Sequence, residues 1–215
     1  MCESEVFLPD EWSNPPVKST VVLMKAIKEQ GLSRQVSAGY EIRSEMYCDK
    51  VFFFETGSLV VRLQESCIVG HLSHGAVYGM NNIFGGEQPA LSLQVASNSL
   101  YYECGVDKFR GMLGNPEVSL AVAEHIAWHN RLVTSHLSVM LNSNSYKKIK
   151  FAIEWFSQSA HVFQKKNPFV KFVADRTGLS KGHIHAVLKQ LREGGYVEME
   201  GGYLLKVCKS LPVNY

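Results

Sequence analysis

Apolar positions change their period several times along this chain, and each change marks an element. Between Val17 and Gln30, Val21, Val22, Met24 and Ile27 recur at helical spacing, and Gly31 stands where a helix end favours a positive φ. One amphipathic helix is expected there. From Tyr40 to Phe109 the pattern shortens to β-rich runs, Val51–Glu55, Leu59–Leu63, Cys67–Leu72, Ala90–Ala96 and Leu100–Cys104, separated by Gly57, Gly75, Gly79 and Gly85-Gly86. Many short strands at regular turn spacing predict a small antiparallel barrel or roll.

Asn115-Pro116 then reads as an N-cap followed by proline at the first helical position, and helical periodicity continues to about Leu141. This long helix carries two adjacent apolar stripes, Ala121, His125, Trp128, Leu132 and Val139, with Val122, Ile126, Val133 and Met140 beside them. A face so wide can cover the roll on one side and a partner helix on the other. The first stripe is therefore expected to form a homodimer seam, the alternative being a helix buried in a monomer core. Asn142-Ser143-Asn144-Ser145 is a polar break, after which a further helix runs from about Tyr146 to Ser157. The expected organisation is a roll over 1–114, a dimerisation helix and hinge over 115–145, and a third unit over 146–215.

That third unit is the most informative. Val170, Val173 and Ala174 make the inner face of a short helix, Gly178-Leu179 a turn, Ser180 an N-cap, and Ile184, Val187, Leu188 and Leu191 the inner face of a second helix. Ala174, Gly178, Ile184 and Val187 have the spacing of a helix-turn-helix, because the helices cross closely at the alanine and turn sharply at the glycine. Gly194-Gly195 ends the second helix, and Tyr196–Glu200, Gly201-Gly202, Tyr203–Val207 reads as a hairpin with a type I′ turn. A hairpin in that place is a wing. Burying the apolar face turns Gly182, His185, Ala186 and Lys189 outward, with Ser180, Lys181 and His183 at the exposed N-terminal turn. This face is expected to enter the major groove of double-stranded DNA: the small residues allow close approach, the lysines reach phosphates or guanine edges, and a histidine adds a hydrogen bond.

Charge sharpens the picture. The whole chain carries a net charge of only +2, which excludes a histone-like polycation or an acidic tail. Residues 1–145, however, hold 10 Lys+Arg against 15 Asp+Glu, a net −5, and residues 146–215 hold 12 against 5, a net +7. A basic unit behind an acidic one favours phosphate contact by the third unit alone. The longest apolar runs fall far short of a membrane span, and Met1-Cys2-Glu3-Ser4-Glu5 lacks the basic and apolar regions of a secretory signal, so a cytoplasmic location is expected.

Other motifs compete with this reading. Gly178-Leu179-Ser180-Lys181-Gly182 matches G-x-S-x-G, but a hydrolase elbow must follow a buried strand, whereas Val170–Thr177 has a helical period. No catalytic residue and no enzyme activity are expected. His125 and His129 lie at i,i+4 with His136 further along, a pattern that could hold a metal or haem but is more often interface packing; no metal and no cofactor are assigned. The five cysteines, Cys2, Cys48, Cys67, Cys104 and Cys208, are odd in number and contain no C-x-x-C pair, as reduced thiols do. Cys48, Cys67 and Cys104 are expected to be buried. Cys2 and Cys208 are the accessible ones, and Lys206 and Lys209 flank Cys208 as a weak redox-switch candidate.

Roll, long helix, polar hinge and winged helix, in that order, resemble the bacterial Crp/Fnr superfamily of transcription regulators over nearly the whole chain. The resemblance is carried in the roll by Cys48–Leu63 and by Leu72-Ser73-His74-Gly75-Ala76-Val77-Tyr78-Gly79. Ser143-Asn144-Ser145-Tyr146, Ile153-Glu154-Trp155 and Leu191-Arg192-Glu193-Gly194-Gly195-Tyr196-Val197-Glu198-Met199 look like the IprA (YaiV-like) branch, whose members are associated with hydrogen peroxide resistance. The resemblance implies an α+β fold: a cyclic-nucleotide-binding-like β-roll, a dimerisation helix and a C-terminal winged helix-turn-helix. It further implies a homodimeric regulator on promoter DNA, with RNA polymerase as a partner and an unidentified small-molecule effector. Departures limit what carries over. Cyclic-nucleotide-binding members place Glu after the glycine matching Gly79 and later Arg-Ser against the phosphate; this chain has Met80 and Pro89-Ala90. Without the guanidinium, a buried phosphate loses its bidentate partner, so cyclic-nucleotide binding by the family mode is not expected. Cys2 stands alone where an Fnr-type cluster needs several cysteines. Gly182 and Ala186 replace the Glu and Arg that read DNA in well-known members, so the operator does not carry over. The alternatives are a signalling module that has lost DNA binding, or the hydrolase.

Overall fold

The computed structural model describes residues 15–63, 67–85, 91–157, 164–165 and 167–213. Cys2 and Pro89-Ala90 lie outside the described residues. Helix α1, Val17–Gln30, buries Leu23, Ala26 and Ile27. Its end departs from expectation, because Gly31 is extended at φ −97° and ψ 174°. Close approach requires the glycine instead: a Cβ there would lie 2.4 Å from the Ile27 carbonyl oxygen and 2.7 Å from that of Glu103.

Strands β1 (Leu32–Val36), β2 (Glu41–Arg43), β3 (Lys50–Thr56), β4 (Ser58–Leu63), β5 (Cys67–Ser73), β6 (Val77–Tyr78), β7 (Leu91–Val95) and β8 (Ser99–Gly105) build two antiparallel sheets, ordered β1-β8-β3-β6 and β2-β7-β4-β5. Short helices α2 (Ser44–Tyr47) and α3 (Val106–Gly111) flank this roll. The run Val51–Phe54 shows how the layers stack. Phe52 and Phe54 point between the sheets, with ring centroids 6.0 Å apart and Tyr101 at 5.7 and 5.6 Å. Val51 and Phe53 emerge on the opposite face, in a second core with Leu23, Ile27, Val118 and Val122. Both faces of β3 are covered, so its sequence shows no alternation.

Helix α4, Pro116–Asn142, begins as expected: the Asn115 side chain accepts from the Glu117 N–H at 2.9 Å, and Pro116 occupies the first turn. Its 27 residues span about 40 Å. The stripe expected to face a partner is partly buried within the protomer. Ala121, His125 and Val139 are 3%, 5% and 6% exposed, and Trp128 and Leu132 are half-buried. Ala121 packs with Val118 and Val122 in the core that α4 shares with α1 and the first sheet. The large apolar residues left outside are Leu120, Val133, Leu137 and Leu141, exposed by 60%, 49%, 54% and 70%.

The chain re-enters helix at once. Asn144 Oδ1 accepts from the Lys147 N–H at 2.8 Å, starting α5 (Ser145–Ser157), and α6 (Phe169–Thr177), α7 (Lys181–Glu193), β9 (Val197–Glu200) and β10 (Tyr203–Val207) complete a C-terminal head. Its core of Ile149, Ile153, Phe156, Phe169, Val173, Ile184, Leu188 and Leu191 continues into Val60, Ile68 and Ala96. The head therefore packs on the outer face of the second sheet. Among the described residues no helix is long and apolar enough to cross a membrane.

Candidate nucleic-acid interface

The presentation of α7 is built from local chemistry. Helix α6 stops where Gly178 adopts φ 70°, its N–H returning to the Ala174 carbonyl at 3.0 Å. Thr177 Oγ1 donates to the Val173 carbonyl at 2.7 Å and accepts from the Leu179 N–H at 3.2 Å. Ser180, at φ −65° and ψ 142°, accepts from the His183 N–H at 3.3 Å and so caps α7. The same facts remove the geometric basis of a hydrolase elbow, because a helix precedes Ser180 and its Oγ serves the cap.

Helix α7 buries Ile184, Val187, Leu188 and Leu191, the face its period predicts. Ser180, Lys181, Gly182, His183, His185, Ala186 and Lys189 are all exposed. Gly182, His185, Ala186 and Lys189, at i, i+3, i+4 and i+7, line one stripe. A Cβ at Gly182 would meet nothing within 4 Å, so intramolecular packing does not demand a glycine there. Lys189 lies 3.8 Å from Glu193 in an exposed pair, which holds it only weakly. Gln190, also exposed, stands one turn beyond Ala186. Sequence reasoning passes it over because it carries no charge, although the i+4 spacing is visible.

The wing forms as expected. Tyr203 pairs with Glu200 across Gly201 and Gly202, at φ 57° and 87°. The Phe169 N–H donates to the Gly202 carbonyl at 2.9 Å, tying the wing tip to the start of α6. Residues 145–213 match the family model for winged helix-turn-helix DNA binding. The head is a winged helix-turn-helix. The fold is similar to that of the c-di-GMP-responsive global regulator CLP of Xanthomonas campestris, with a TM-score of 0.65, 13% identity, and coverage of 88% of this chain and 100% of that one. A transcriptional regulator of the Crp/Fnr family from Thermus thermophilus aligns with a TM-score of 0.60 at 15% identity, covering 81% of this chain and 94% of its own. The architecture is thus the Crp/Fnr fold. In sequence, the "Inhibitor of hydrogen peroxide resistance" of Escherichia coli K12 is 28% identical over 90 residues, 42% of this chain and 43% of that protein. The chain thus matches under half the length of this curated relative.

Met80 is buried beside Gly79, where nucleotide-binding members carry Glu, and packs with the residues under α1 and α4. Cys104 is buried and Cys67 half-buried, but Cys48 is exposed, contrary to expectation, because it follows α2 outside any strand. Cys208 is exposed and donates to Glu198 Oε1 at 3.4 Å. Desolvation and that carboxylate push its pKa up, against Lys206 and Lys209. A raised thiol pKa disfavours the reactive thiolate. Among the described residues no three His, Cys, Asp or Glu side chains converge as a metal-ligating group.

Two histidines of α4 are held neutral. Burial, with His129 adding to it, lowers His125 to about 4; burial, then Arg176 and His129, lower His136 to about 4. The unfolded chain protonates them near 6.5, so the unfolded state binds more protons throughout the window between 6.5 and about 4. Stability is complete above that window and falls as pH drops through it, by on the order of 3 kcal/mol per histidine. Urea titrations at pH 7 and pH 5 are expected to show the loss, and His125→Gln is expected to remove about half of it.

Proposed function

We propose that this protein is a homodimeric transcription regulator that binds promoter DNA through its winged helix, acts in the cytoplasm, and has a degenerate effector roll. The observation that carries the reading is the α7 stripe: Gly182, His185, Ala186 and Lys189 stand exposed on a capped helix, in the C-terminal third of the chain, residues 146–215, with net charge +7. Small residues let the helix sink into the major groove while the lysines meet phosphate. A mobility-shift titration against promoter DNA tests it, with binding expected to weaken steeply as salt rises. Salt-independent binding, or none, counts against it.

The dimer reading rests on a different face of α4 from the one the spacing suggests. Leu120, Ala123, Ala127, Asn130, Thr134, Leu137 and Leu141 alternate by three and four residues and are all exposed. Such a strict alternation is the seam of a two-helix coiled coil, with a second copy of this chain as the occupant. RNA polymerase is a further partner under this reading. The similarity to the E. coli inhibitor of hydrogen peroxide resistance supports an oxidative-stress regulon, which a genome-wide footprint would name.

Burial of Met80 and the packing of Phe52, Phe54 and Tyr101 between the sheets support the absence of family-mode nucleotide binding. Calorimetric titration with cyclic AMP and cyclic GMP is expected to give no heat of specific binding. A micromolar affinity, about −8 kcal/mol, would overturn this part.

A further inference from the structure

Arg176 lies in the last turn of α6, a position where a basic side chain commonly faces solvent and complements the helix end. It is instead sunk between the winged helix and the rest of the chain. Nη1 donates to the Ile68 carbonyl of β5 at 2.9 Å. Nη2 donates to His136 Nδ1 of α4 at 3.2 Å. The guanidinium carbon Cζ lies 4.8 Å from the Trp155 ring centroid and 5.8 Å from that of Phe172. One side chain thus joins the second sheet, the long helix, α5 and α6.

Each partner is suited to a latch. Strand β5 is the edge of its sheet, and a bulge at Val69 breaks its pairing with β4, Ile68 facing Arg62 while Gly70 faces Val61. His136 also meets the Phe151 ring edge-on at 4.9 Å, so the imidazole is clamped between the head and its own helix. Among the described residues no carboxylate pairs with Arg176, and burial draws its pKa down to about 10. A cation desolvated with no counter-ion among the described residues is a poor device for stability. Its fork geometry is a good one for fixing an angle between two bodies. The α7 stripe stays exposed while the latch is closed, so the contact orients the DNA-reading face and does not mask it.

We infer that Arg176 is a positioning residue that sets how the winged helix sits on the roll and on α4, and through this the separation of the two recognition helices offered to DNA. The inference rests on the homodimer reading. Changing the spacer of a palindromic site by one base pair moves the half-sites by about 3.4 Å and turns them by about 35°, which only a loosely held head can follow.

The test uses the full-length protein and palindromic duplexes recovered by selection from a random pool, each remade with the spacer one base pair longer or shorter. Wild type is expected to lose about tenfold or more on either change, and Arg176→Met, which keeps the volume, to vary less than about threefold across the spacers. His136→Leu, lacking the acceptor, is expected to loosen discrimination as well, whereas His136→Asn, which keeps one, retains it. Wild-type discrimination in both Arg176→Met and His136→Leu overturns the inference; should Arg176→Met fail to fold, the two His136 variants decide alone. Wild type that is dimeric in ultracentrifugation yet indifferent to spacing overturns the inference by itself. Wild type that is monomeric and binds one half-site removes the dimer reading with it.

Discussion

Leu137→Asp combined with Leu141→Asp is expected to leave a folded, monomeric protein that has lost about 10²- to 10⁴-fold in affinity for a palindromic operator. Both side chains are mostly exposed in the protomer, 54% and 70%, so the substitutions cost its fold little. In the dimer they would lie at successive seam positions, and each missing leucine forfeits about 1.5–3 kcal/mol of burial on each helix, before like charges are placed across the two-fold axis. Dissociation converts a bivalent reader into two independent half-site binders, which is why the DNA effect exceeds that of any single side chain. Sedimentation equilibrium reads the association and a mobility shift reads the affinity. Val139→Asp is the contrasting control: Val139 is 6% exposed, so that variant should lose thermal stability. A double variant that remains a tight dimer would place the interface elsewhere.

Lys181→Ala combined with Lys189→Ala should weaken DNA binding by about 10- to 100-fold near physiological salt and reduce the slope of log K against log salt by about 1.8, or about 0.9 for each phosphate no longer neutralised. Lys181 stands in the first turn of α7, where the helix N-terminus adds its own attraction for phosphate. Lys189 sits two turns further along the exposed stripe, in an ion pair with Glu193 weak enough to be exchanged for a phosphate. Neither supports the core, so the melting temperature should not move. A normal affinity with a normal slope would mean that α7 does not face the DNA backbone.

What could be read without coordinates follows from how local each cause is. Caps are local: Asn115, Ser180 and Gly178 act on backbone within a few residues, and all three behave as their types require. The wing turn is local as well, since Gly201-Gly202 must supply two positive φ angles. Strand β1 was not legible. Its sequence, Leu-Ser-Arg-Gln-Val, is almost wholly exposed, and it becomes a strand only by pairing Leu32 to Glu103 and Val36 to Ser99, from the far end of the roll's sequence.

The sequence by itself determined the succession of roll, long helix and winged head, the inner and outer faces of α7, and the division of charge that points the C-terminal head at DNA. Tertiary structure alone decided which face of α4 stays outside and where Arg176 goes. A heptad spacing marks an apolar face without saying whether that face meets its own sheet or another molecule, and α4 carries two. A basic residue at a helix end reads as solvated until a neighbouring domain closes over it. Both outcomes depend on surfaces brought together from distant parts of the chain, and these are absent from any window of residues short enough to show a period.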